Sequence, residues 1–287
     1  MNKSLIALAL VGAFAVPAFA QTAAPAAEAA AEPASDHTFT ANVGLFSSYR
    51  FRGIDQTYGQ PALQGGFDYA HSSGLYLGNW NSNVNSGAGF PEGSLEMDFY
   101  GGWKTTFAED FGFDVGGLYY YYPGSNAAPL SGTNARNLTA TASGAVDNFE
   151  LYVAGSWKFL SLKYSYSFTD YFSLPDSKGS SYLDFTANVP VGDGWSIVGH
   201  VGQLFSDYKY NTAGDQSIEY MDWKLGVTKD ISGWIIGAAY IGTNAAGNCG
   251  NAEFYCFSNS LNANGQLGSK TRDAGRGIGV LSVSRTF

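Results

Sequence analysis

What most restricts this chain is the rhythm of its connections. From Thr38 onward, twelve segments alternate apolar and polar residues with a period of two, and the links between them are short and long in strict turn. Tight turns are expected at His71-Ser72-Ser73, Glu109-Asp110, Phe159, Gly192-Asp193-Gly194 and Asp230-Ile231-Ser232. Longer polar links are expected from Gly53 to Gly59, Asn85 to Gly93, Pro123 to Asp147, Tyr171 to Gly179, Ser206 to Ser217 and Thr243 to Gly275. A soluble antiparallel sheet also alternates, but nothing in it would keep eleven connections in that order. A barrel that spans a membrane does keep it, with short turns on one side and long loops on the other. The expected fold is therefore all-β: a transmembrane antiparallel β-barrel of about twelve strands, with short periplasmic turns and longer extracellular loops.

Within the segments the two faces separate cleanly. Leu95, Met97, Phe99, Gly101, Trp103 and Phe107 fall on one side of their segment, and Glu96, Asp98, Tyr100, Gly102, Lys104 and Thr106 on the other. Phe149, Leu151, Val153 and Trp157 alternate in the same way with Glu150, Tyr152, Ser156 and Lys158, and Leu162, Tyr164, Tyr166 and Phe168 with Ser161, Lys163, Ser165 and Ser167. Successive side chains of a strand point to opposite faces, so each segment has one greasy and one polar side.

The N-terminus reads as an export signal. Lys3 supplies a positive start, Leu5 to Val16 a short apolar core and Ala18-Phe19-Ala20 a small-residue cleavage site before Gln21. A dozen apolar residues are too few for a hydrocarbon layer of roughly 30 Å. Residues 1–20 are thus expected to be a signal peptide, residues 21–37 a disordered Ala/Pro-rich periplasmic tail, and residues 38–287 the barrel. An Ala-rich helix is the alternative for the tail, disfavoured by Pro25 and Pro33.

Composition agrees with export to a membrane. The chain holds 37 Gly, 19 Tyr, 20 Phe and 6 Trp, yet its mean hydropathy is only -0.10. No later apolar run approaches the roughly 20 residues of a spanning helix. With 15 Lys and Arg against 24 Asp and Glu, it is a poor match for nucleic acid, whose phosphates demand bases. Aromatic residues gather near the segment ends, at Tyr119 to Tyr122, Trp103, Phe107, Tyr171, Phe172, Trp195 and Trp234; rings with a polar tip suit the membrane–water boundary. The last segment, Gly277 to Phe287, ends on an aromatic residue with Leu281 and Val283 on the same face. Phe287 is therefore expected to serve as the signal read by the outer-membrane barrel assembly machinery, although Arg285 stands where an apolar residue is usual. An ordinary edge strand is the alternative.

Several blocks resemble a known family. The run Asn42 to Thr57 (NVGLFSSYRFRGIDQT), the run Gln60 to Tyr69 (QPALQGGFDY) and Gly78 to Val84 (GNWNSNV) are similar to the TorF-type porin family of proteobacteria. Lys163 to Ser167 and Tyr182 to Asp184 are similar as well. The resemblance implies a barrel in the outer membrane of a Gram-negative bacterium, classed with the porins, and brings no catalytic residues.

The polar faces carry the candidate pore lining: Arg50, Arg52, Lys104, Lys158, Lys163 and Lys224 against Asp68, Glu96, Asp98, Asp114, Glu150, Asp184 and Asp222. Near balance argues against a tube of one sign. Such charges either make a transverse field that orients small polar solutes or pair across the wall and stiffen it. Arg50 and Arg52, two apart, are expected on one face at the outer end of the first strand, anchoring a loop carboxylate or meeting an anionic solute. Cys249 and Cys256 lie in the longest link, where a disulfide is expected; free thiols or a metal pair are the alternatives. No metal, cofactor or catalytic residue is assigned. Of the histidines, His37 falls in the tail, His71 in a turn and His200 on an inner face, and no Gly-x-Ser-x-Gly elbow occurs. The sequence thus points to a passive channel for small polar solutes embedded in outer-membrane lipid. A non-conducting barrel that displays its loops for adhesion or partner binding is the alternative.

Overall fold

The computed structural model of the chain describes residues 35–108, 110–133, 135–137, 139–210 and 216–287. The expected signal peptide, most of the expected tail and Glu109 of the second tight turn lie outside the described residues. Twelve strands form one closed barrel: β1 (His37–Phe46), β2 (Ala62–His71), β3 (Leu75–Asn83), β4 (Leu95–Phe107), β5 (Phe111–Tyr121), β6 (Asp147–Trp157), β7 (Leu160–Ser167), β8 (Ser181–Gly192), β9 (Trp195–Phe205), β10 (Tyr220–Ile231), β11 (Trp234–Thr243) and β12 (Ile278–Thr286). Each pairs antiparallel with the next, and β12 closes on β1 from Asn42↔Thr286 to Phe46↔Ser282.

The short turns fall where the sequence places them, at 72–74, beside Ala108 and Asp110, and at 158–159, 193–194 and 232–233. Asp193 and Gly194 have φ of 49° and 73°, the left-handed pair that a two-residue hairpin needs to match the twist of its strands. Both ends of the barrel chain lie on this short-turn side: Ser72 donates its N–H to the Asp36 carbonyl at 2.9 Å, and Phe287 pairs with Ala41.

Burial is inverted relative to a soluble protein. Phe67, Leu77, Leu225 and Leu281 point outward and are more than 60% exposed, while their neighbours along the strand face the enclosed space. Outward rings cluster near the short turns, where Phe107–Phe111 and Phe111–Trp157 stack at 6.0 and 6.2 Å, and Trp195 and Trp234 are exposed beside them. Phe99, Phe168, Trp223 and Tyr240 are exposed at the other end of the strands. An apolar band between two aromatic rims is the surface that a lipid bilayer selects, and no described helix is long and apolar enough to cross one.

Inside, tyrosines and glycines interlock, which explains why the chain is rich in both. Tyr76 stands opposite Gly102, and Tyr100 opposite Gly78. A Cβ on either glycine would collide with the facing tyrosine, so the bare backbone is what lets each ring lie across the wall.

Candidate functional site

The interior has two layers. In the layer nearer the short turns, strand register sets the charges against one another. Lys104 faces Asp114 across β4 and β5, and Lys163 faces Asp184 across β7 and β8. Tyr76 donates its hydroxyl to Asp114 at 2.6 Å and also meets the Tyr152 hydroxyl. Tyr100 donates to Asp68 at 2.6 Å. Lys163 Nζ sits 4.3 Å from the centre of the Tyr152 ring, where the ring quadrupole favours a cation.

His200 bridges this layer to the one above it, lying between two carboxylates, with Asp222 Oδ1, beside Gly53 at the long-loop end of β10, 2.8 Å from Nε2 and Asp184 Oδ2 3.4 Å from Nδ1. Thr186 stands 3.1 Å from Nδ1 but donates its hydroxyl to Asp184 at 2.8 Å. Tyr182 donates to Asp222 at 2.7 Å. An imidazole gripped by two acids is arranged as an ion-pair bridge, and the hydroxyl beside it is committed to a carboxylate.

In the layer nearer the long loops, the first loop turns into the barrel mouth. Arg50–Phe51 and Ile54–Asp55 form a minimal hairpin, turned by Arg52 and Gly53 with φ of 47° and 80°. Tyr49, Phe51, Ile54 and Asp55 are all buried. The Tyr49 ring packs edge-on to Trp80 of β3 at 5.5 Å, and Phe51 to Tyr120 of β5 at 5.6 Å. Arg52 holds the hairpin to the wall. Its Nη2 donates to both carboxylate oxygens of Glu150 in β6, at 3.0 and 2.8 Å, and its Nη1 to the Tyr171 hydroxyl at 3.2 Å. Burial pushes that hydroxyl up to about 12, so at neutral pH it is intact and free to accept. The guanidinium also lies 4.2 Å from the Tyr182 ring centre. Arg50 ties the hairpin to the last loop instead, with Nη1 donating to the carbonyls of Ala274 and Arg276 at 2.9 and 3.2 Å. Its Nη2 lies 3.7 Å from Asp55, close enough for Coulomb attraction and too long for a hydrogen bond.

Two sequence expectations need correction. Arg50 and Arg52 do not extend strand one, because β1 ends at Phe46 and the chain turns inward; the left-handed φ of Arg52 breaks the alternation that their spacing suggested. Arg52 does anchor a loop to a carboxylate, but the arginine is on the loop and the acid on the wall. Lys158 does not line the lumen. It sits in the β6–β7 turn with φ of 53°, half exposed and 3.8 Å from Asp110.

Asp68, Glu96, Asp98, Lys104, Asp114, Glu150, Lys163, Asp184, Asp222 and Lys224 are on strands and face inward. Glu96 and Asp98 are buried, and Glu96 accepts from the Tyr122 hydroxyl at 3.0 Å. Asp55 is not among the residues that the sequence singles out, and Tyr171, expected with Tyr120 and Tyr122 at the membrane–water boundary, is buried inside with them instead; Gly53, in a run that otherwise alternates, is the one available signal for a turn there. Cys249 and Cys256 are bonded, with Cα atoms 5.0 Å apart. Phe287 is 65% exposed on the outer surface, and Arg285 reaches between its ring and Trp234, at 5.2 and 5.3 Å.

Above the hairpin the long loops border a half-open cavity of about 450 Å³. Phe51, Ile54 and Gln56 of the hairpin form part of its lining, with Phe90, Tyr122, Leu130, Phe172, Phe254 and Tyr255 around it.

These features define a membrane-spanning β-barrel with a charged interior, a loop folded into its mouth and a ring-lined chamber above. The chain belongs to the Gcw_chp family of bacterial proteins of unknown function, whose sequence model matches residues 30–263. The likeness to TorF-type porins stands beside this as a resemblance of the blocks quoted above. None of the curated proteins matches the chain. Solved structures that superpose on most of it include the NanC porin, with 8% identity, a TM-score of 0.47, and 87% of this chain and 99% of that one covered. The toluene transporter TodX of P. putida gives 9%, 0.43, 89% and 91%. An outer-membrane channel from Pseudomonas putida F1 gives 11%, 0.43, 90% and 97%. Likeness at this level carries no functional information.

Proposed function

We propose that this protein is a channel of the bacterial outer membrane that rests closed, with the hairpin around Arg52 as its plug. In this reading the short turns face the periplasm, the long loops face the cell exterior, and small polar solutes diffuse through the lumen when the plug withdraws. The observation that carries it is the way the plug is fastened. It has no β-ladder to the barrel wall; one arginine–carboxylate pair, Arg52 to Glu150, joins it to β6 within a lumen lined by charges of both signs. Beyond one backbone bond, from the Asp55 N–H to the Ala274 carbonyl at 3.0 Å, the fastening is made of side chains, and a segment held by so few bonds opens more readily than a strand of the wall.

The test is conductance of the refolded protein in a planar bilayer. The intact chain is expected to show brief discrete steps, and a variant lacking residues 50–55 long-lived ones. A tight seal at every voltage in both would sink the channel reading. That result would favour the second reading, a barrel that seals the membrane and displays its loops, which the buried interior around Glu96, Asp98 and Glu150 supports. Outer-membrane assembly has its own test: removal of Phe287 should lower surface levels, and normal levels would remove Phe287 from the assembly signal.

A further inference from the structure

The lining of the 450 Å³ cavity is chemically unlike the lumen below it. The volume lies within the roughly 300–1,000 Å³ of small-molecule pockets. Two separate ring clusters border it. In one, Phe90 stacks on Tyr122 at 3.9 Å, and Phe172 packs against Tyr122 and Phe51 at 6.0 and 5.6 Å. In the other, Phe254 meets Tyr255 at 4.9 Å and Tyr210 at 5.2 Å. Leu130, Leu174, Leu261 and Leu267 fill between them.

The polar atoms of the lining are largely committed elsewhere. Tyr122 donates to Glu96, Tyr171 accepts from Arg52, and Tyr255 donates to the Ile218 carbonyl at 2.6 Å. Gln56 donates to the Ile54 carbonyl at 3.1 Å, and Thr133 to the Leu130 carbonyl at 2.7 Å. Glu253 is the one acid or base among the described lining residues. Its carboxylate accepts from the Asn248 N–H at 2.7 Å and the Asn251 amide at 3.3 Å, within its own loop. What these residues leave for an occupant is ring faces, ring edges and aliphatic carbon. The Cys249–Cys256 disulfide braces the loop that carries Phe254 and Tyr255.

We propose that this chamber is a binding site for uncharged aromatic compounds of one or two rings. Apolar contact with a lining whose hydrogen bonds are already made rewards a ligand that asks for none, and edge-to-face packing adds a preference for rings over chains. A charged ligand would give up hydration there and meet no counter-charge beyond Glu253, which is engaged within its own loop. The occupant rests directly on Phe51 and Ile54 of the hairpin. The inference goes beyond the channel reading, since binding requires no passage, and it is measured without a conductance assay.

The experiment titrates 2-naphthol with the full barrel in phosphatidylcholine nanodiscs. Naphthol fluorescence is excited beyond tryptophan absorption, and empty nanodiscs are subtracted. Saturable binding is expected, with 2-naphthalenesulfonate about ten-fold weaker or more. Leu130→Glu, which sets a carboxylate in the wall, should weaken 2-naphthol by about ten-fold or more. Leu267→Glu alters a rim residue that is 64% exposed, so it leaves folding intact and should weaken binding about three-fold. No saturable signal above empty discs would overturn the proposal, as would equal binding of naphthol and sulfonate, or wild-type affinity in both variants. Should Leu130→Glu fail to fold, the Leu267→Glu result decides.

Discussion

The two layers of the interior are built by different means. Nearer the short turns, strand register sets Lys104 opposite Asp114 and Lys163 opposite Asp184, and tyrosine hydroxyls hold Asp68 and Asp114. Nearer the long loops, the contacts join segments far apart in sequence, as Arg52 does with Glu150 and Arg50 with Ala274. The lower layer is a mesh of cross-strand charges and tyrosine hydroxyls on neighbouring strands. The upper layer hangs on a few contacts, and one of them is a buried ion pair.

That contrast orders the expected effects. The largest belongs to Glu150→Ala, which strands the buried Arg52 guanidinium. Loss of one partner of such a pair costs about 3–5 kcal/mol. Urea unfolding should show that loss, and the plug should spend more time withdrawn in bilayer recordings. An Arg52→Met/Glu150→Leu double variant should recover most of the stability while staying open. Next comes Cys256→Ser. Opening so small a loop costs about 2.4 kcal/mol at most, and the loss should appear as faster hydrogen exchange confined to the last long loop, with the strands unchanged. The smallest is Lys104→Met, where one cross-strand pair of the mesh is worth about 1 kcal/mol or less. It should leave unfolding nearly unaltered and move the reversal potential of any conductance toward cation selectivity. If Lys104→Met destabilised the barrel more than Glu150→Ala, the division into mesh and latch would be broken.

The same division explains what could be read in the sequence. Strand number, the turn positions and the inward set from Asp68 to Lys224 follow from a period of two and from loop length, both local properties. Resemblance to a porin family added the expectation of an outer membrane. Arg50 and Arg52 misled because an inward loop continued the strand's alternation for a few residues, and only Gly53 marked the turn. Lys158 misled because a strand's period does not announce its last residue; Trp157 is in the ladder and Lys158 in the turn. The chamber was not legible at all. Its walls come from several loops whose packing depends on one another, so no single stretch of chain bears its outline, and Phe254 and Tyr255 look in sequence like any aromatic pair.

The inverted burial of the wall has a consequence for when such a chain becomes oily. Because greasy and polar residues alternate along most of the strands, the extended polymer of the barrel carries little continuous oil, and the mean hydropathy of the whole chain is only -0.10. The continuous oily coat around Phe67, Leu77, Leu225 and Leu281 comes into being only as neighbouring strands zip together. Oiliness is thus a property of the closed ring rather than of the extended polymer, and closing the ring is what makes the wall a surface fit for a bilayer.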